Sequence, residues 1–145
     1  MHFSKRFFLF SVLAVLASPA FAAGGIAIDG AWIRQAPPGM MMLAGYMTIS
    51  NEGASERKLV AASSPAFGHI ELHRSVISNG VATMIPQKNM PVPAHGKLRL
   101  APGGYHLMLM KPKQAFKLGE MVPLTLRFAD GQTITVKAVV KRGTM

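Results

Sequence analysis

From residue 26 onward, apolar and polar positions alternate in short runs, with the period of two expected of half-buried β-strands. Nine segments carry this pattern: 26–34, 43–50, 57–62, 69–77, 81–85, 97–100, 105–110, 122–128 and 133–141. Between them stand Pro37-Pro38-Gly39, Asn51-Glu52-Gly53, Asn79-Gly80, Pro102-Gly103-Gly104 and Asp130-Gly131, residues that turn a chain and do not extend it. No segment in this region sustains a helical period, and 113–120 has room for at most a single helical turn. Strand number and spacing predict an all-β fold, a Greek-key β-sandwich or barrel.

Two hairpins are marked by dipeptides that accept positive φ, Asn79-Gly80 and Asp130-Gly131, and each predicts a two-residue type I′ loop. At Asn79-Gly80 such a loop sets Ser78 opposite Val81 and Ser75 opposite Met84, with His73 diagonal to Met84 on the same face. The other face holds Ile70, Leu72, Val76, Thr83 and Ile85 and is expected to meet the core. In 105–110 the separation repeats. Tyr105, Leu107 and Leu109 point one way, and His106, Met108 and Met110 the other.

His73, Met84, His106 and Met108 thus form a spaced set, H-x10-M-x21-H-x-M, held off the packing faces. Two imidazoles with two thioethers are a soft, uncharged donor set that suits Cu(I) and binds Mg²⁺, Ca²⁺ or a catalytic Zn²⁺ poorly. With no cysteine in the chain, a blue-copper electron carrier is excluded for want of its thiolate, as are disulfides and CxxC redox chemistry. A copper enzyme is disfavoured: all four ligands are protein-derived, and no acid–base constellation stands near them. The remaining rival is a sandwich that binds or adheres without metal.

The N-terminus adds a compartment. Lys5-Arg6, the apolar run 7–17 and Ala20-Phe21-Ala22 read as a secretory signal peptide over 1–22, leaving a single domain over 23–145. The apolar run is too short to span a bilayer, which takes about 20 residues. No cysteine follows the cleavage motif to carry a lipid, so a soluble periplasmic protein without stable membrane insertion is expected. Beyond the signal the chain carries 14 Lys and Arg against 6 Asp and Glu. These cations are scattered and not interleaved with aromatics, which argues against nucleic acid as a partner and for a solvated surface.

Several other residues invite a role. Met40-Met41-Met42 reads as an adaptable, partly buried hydrophobic loop, with a thioether lid or copper relay as the alternative. His69 shares the strand face of His73 but lies about 13 Å along it, too far to share one ion, and is expected to be exposed. His95 is expected to be exposed in the same way. Trp32 reads as a core or core-edge anchor.

Glu71-Leu72-His73, the Met84 spacing, the run Gly103-Gly104-Tyr105-His106-Leu107-Met108-Leu109-Met110 and Val122-Pro123-Leu124-Thr125-Leu126 resemble the PCu(A)C periplasmic copper chaperones. The resemblance covers essentially the whole chain beyond the signal. It implies a cupredoxin-like β-sandwich, a non-enzyme, that binds one Cu(I) at His73, Met84, His106 and Met108, with Cu(II) as a transient state. It also implies delivery to a cytochrome c oxidase subunit or a thiol-bearing copper chaperone during assembly of the oxidase copper centre. A monomer is expected, and the alternative function is copper storage or resistance without a dedicated recipient. Two departures stand out. Arg74 occupies a position where many members have Met, and the chain ends at Lys141-Arg142-Gly143-Thr144-Met145 without the His/Met-rich tail that holds a second metal in some members.

Overall fold

The computed structural model describes residues 25–143; the signal peptide expected over 1–22 lies outside the described residues. Ten strands form: β1 (Ile26–Arg34), β2 (Met42–Asn51), β3 (Arg57–Ser63), β4 (Phe67–Ser78), β5 (Val81–Pro86), β6 (Met90–Val92), β7 (Gly96–Leu100), β8 (Tyr105–Pro112), β9 (Met121–Phe128) and β10 (Thr133–Lys141). They hydrogen-bond in the order β5-β4-β8-β7-β2-β1-β10-β9-β3-β6, with β8 also paired to β2. Nine are the strands expected from alternation. The tenth, β6, is a three-residue strand centred on Pro91, which lacks the N–H of an interior strand; it sits at the sheet edge, where such a residue is tolerated. Segment 113–120 forms bends and a turn and no helical turn.

The sheet folds over itself because β2 changes partner along its length. Met42–Gly45 pairs with β8, while Met47–Asn51 pairs with β7. The two layers enclose Leu43, Met47 and Ile49 of β2, Leu107 and Leu109 of β8, and Leu124, Leu126 and Phe128 of β9. Full burial of each such leucine contributes about 1.5–3 kcal/mol. Leu107 and Leu109 have no exposed surface, so β8 is fixed by its inward side chains and its alternate residues are aimed outward.

The first hairpin has the expected register, with Ser78 opposite Val81 and Ser75 opposite Met84. Asn79 (φ 51°) and Gly80 (φ 77°) both take the left-handed conformation that a type I′ loop demands. Its packing differs from expectation. Leu72 is buried, but every residue of β5 is exposed, including Thr83 and Ile85, because β5 is the sheet edge and the hairpin overhangs the core.

The second hairpin is not a two-residue loop. Phe128 and Gln132 close a three-residue loop in which only Gly131 has positive φ. Asp130 bonds the Gln132 amide (3.0 Å) and pairs with Arg57 (2.7 Å), interactions that hold it in the ordinary turn conformation.

Candidate metal centre

The antiparallel β4–β8 ladder sets His73 directly opposite His106, with ring centroids 5.8 Å apart and planes at 58°. Met108 follows on β8, opposite Glu71, and shares the outward face of His106. Met84 lies on β5 opposite Ser75, diagonal to His73 on that same face. His73, His106 and Met108 therefore come together on adjoining strands. Met84 stands one strand further out, on the overhanging hairpin, and is 54% exposed.

Outward from the core does not mean solvated: His106 is 3% exposed and Met108 6%. Over His106 the cover is aromatic. Tyr46 of β2 lies against His106 (6.5 Å between centroids), and Trp32 of β1 stacks on Tyr46 at 4.8 Å. Arg34 closes over both rings, 5.6 Å from Tyr46 and 6.0 Å from Trp32. Trp32 is half-buried, at the edge of the core as the sequence allowed, and there it belongs to the wall of the site.

The imidazole nitrogens are sorted by their neighbours. Pro102-Gly103, with Gly103 at φ 86°, forms the turn that brings the Gly104 carbonyl back toward β8. That carbonyl accepts from His106 Nδ1 at 3.2 Å, so the lone pair of the neutral ring is on Nε2. His73 Nε2 donates to the Glu71 carboxylate at 2.7 Å, which leaves the lone pair on Nδ1. Those two remaining nitrogens, His73 Nδ1 and His106 Nε2, are buried with no hydrogen-bond partner. A buried unsatisfied acceptor costs about 1–3 kcal/mol, and two on facing rings are lone pairs that an electrophile between them would satisfy.

Residues 26–140 match the family model described as "Putative lipoprotein LpqE-like". The chain belongs to the LpqE-like, or PCu(A)C, family. Among its relatives, "Putative lipoprotein Lxx21020" of Leifsonia xyli subsp. xyli is 38% identical over 125 residues, covering 86% of this chain and 74% of that protein. The solution structure of apo-DR1885 from Deinococcus radiodurans is 33% identical, covers 99% of this chain and 97% of that one, and superposes with a TM-score of 0.65. The CuI-DR1885 structure is 36% identical, covers 79% and 76%, and has a TM-score of 0.60. The copper-bound PCuAC domain from PmoF2 shares the fold at a TM-score of 0.72, with 24% identity over 85% of this chain and 97% of that one. The cupredoxin-like all-β fold expected from the resemblance is the fold of this PCu(A)C chain.

Electrostatics at the site favour a neutral His106 and an ionised Glu71. Burial pushes the His106 pKa below the ordinary 6.5; the Gly104 hydrogen bond opposes this, and His73 adds to it by charge repulsion. Hydrogen bonds from His73 and then His69 hold the Glu71 carboxyl below its ordinary value, so it is ionised and accepts from both rings. Among the described residues no three His, Cys, Asp or Glu side chains gather to hold a metal.

Glu71 entered the sequence reading only as part of the Glu71-Leu72-His73 motif and was given no role, although its period-two offset from His73 puts it on the same face. It fixes the His73 tautomer, as carboxylates behind ligating histidines do. Glu71→Ala is expected to weaken metal affinity by about 10–100-fold while leaving the fold intact, read by chelator competition and circular dichroism. His69 and His95 are exposed, as expected. Met40, Met41 and Met42 are 47%, 59% and 47% exposed, more open than a partly buried loop.

Proposed function

We propose that the chain is an exported copper chaperone that takes one Cu(I) at His73, Met84, His106 and Met108 and passes it to another copper protein. The observation that carries this is the facing pair of buried, partnerless imidazole lone pairs beside the buried Met108 thioether. A soft d¹⁰ ion suits two nitrogens and two sulfurs, and such neutral donors leave the ion its own single charge. Glu71, ionised behind His73, offsets part of that charge. The family's copper-bound members, CuI-DR1885 among them, support copper as the cargo.

The exposed Met84 supplies the solvent-side ligand, the one an acceptor reaches first. A protein bearing thiolates or more histidines can displace it while the buried three still hold the ion. Periplasmic residence, the absence of catalysis and delivery toward the cytochrome c oxidase copper centre belong to this reading. Sequestration without a recipient is its alternative.

The test is a competition titration with a Cu(I) chelator on the wild type and on Met84→Leu and Met108→Leu. The wild type takes one tightly held Cu(I), Met108→Leu loses most of the affinity, and Met84→Leu loses less and releases copper faster. A wild type that leaves the chelator's copper untouched rules the reading out. Transfer to a candidate oxidase subunit, followed by spectroscopy of that acceptor, separates delivery from storage.

A further inference from the structure

One register step beyond the His73–His106–Met108 set, three neighbouring strands present a second row of soft donors. Met110 lies two residues past Met108 on the outward face of β8. Its direct partner on β4 is His69, and its direct partner on β2 is Met42. Directly opposed residues sit about 4.5–5.5 Å apart at Cα, so Met110 has an imidazole on one flank and a thioether on the other.

Packing does not account for the row. Leu43, next to Met42, is 7% exposed and fills the core, whereas Met42 points outward and is 47% exposed. The His69 side chain is 48% exposed. Glu71 connects the two rows. Its Oε1 accepts from His69 Nε2 at 3.2 Å and its Oε2 from His73 Nε2 at 2.7 Å. With Nε2 donating, the lone pair of neutral His69 is on Nδ1, as it is in His73.

We infer that Met42, Met110 and His69 form a second Cu(I) site, weaker and more open to solvent, alongside the first. The inference rests on the reading of Cu(I) as cargo. Three donors in place of four, two of them half in water, make the site a landing place. Met110 and Met108, about 7 Å apart along β8, are the step between the two sites. The site is unrelated to any C-terminal tail.

The test is methionine-methyl NMR of the whole protein, titrated anaerobically with Cu(I). The first equivalent should shift the Met84 and Met108 methyls, and the second those of Met42 and Met110 together with the His69 ring. In M42L/M110L, whose volumes are conserved, second-equivalent affinity should fall by more than about tenfold. First-equivalent affinity should stay within about threefold, because that site keeps its own donors. Met42 and Met110 methyls that stay still through two equivalents overturn the inference, whatever Met108 does. A still Met108 methyl instead overturns the first site.

Discussion

His106→Leu is expected to make the metal-free protein more stable and its hold on copper much weaker. The imidazole is buried with Nε2 unpartnered, a state that costs about 1–3 kcal/mol against an apolar side chain of similar reach. Removing it strands nothing else, because the Gly104 carbonyl keeps its second donor, the Ser75 amide at 3.0 Å. Thermal or denaturant unfolding of the apo variant should show a gain of that size. Cu(I) affinity should fall by more than about 100-fold, beyond what a change behind the ligands costs. Opposite signs in the two measurements separate a ligand from a packing residue; a loss of apo stability would contradict the assignment.

Acid is expected to have the second large effect. Cu(I) at the proposed four-donor site needs both imidazole lone pairs, whereas the thioethers do not titrate. Once the medium is acidic enough to protonate both rings, binding releases two protons, and affinity falls about 100-fold per pH unit. The apo fold responds in the same direction for another reason. Burial holds His106 below the ordinary histidine value, so as pH falls through about 6.5 the unfolded chain takes up a proton that the folded chain still refuses. The contribution of neutral His106 is therefore present above that value and is lost as pH falls toward the folded pKa. Chelator competition and unfolding, each followed from about pH 8 to about pH 5, test both slopes. An affinity that stays flat across that range would exclude imidazole ligation.

The sequence carried local geometry well and non-local cover poorly. Asn79-Gly80 dictates its own loop, so the Ser75–Met84 pairing could be read without a fold. Asp130-Gly131 looks alike, yet its loop is longer, because Asp130 is held by Gln132 and by the distant Arg57. Alternation in 105–110 separated His106 and Met108 from the core leucines. It could not tell that Tyr46, from another strand and backed by Trp32, would lie against His106. The same blindness placed Thr83 and Ile85 against a core that ends before β5. Whether a face is wet depends on what crosses above it, and that is set by the order of strands in the sheet.

β8 works in two directions at once. Its leucines lock into the interior while its sulfur and nitrogen donors stand on the outer wall. On the proposed reading, copper is exchanged on the side of β8 turned away from those leucines, so the scaffold has no need to unpack its interior for traffic. The same division leaves the outer wall free to change: new donors could be installed there to retune selectivity, with the hull behind them undisturbed.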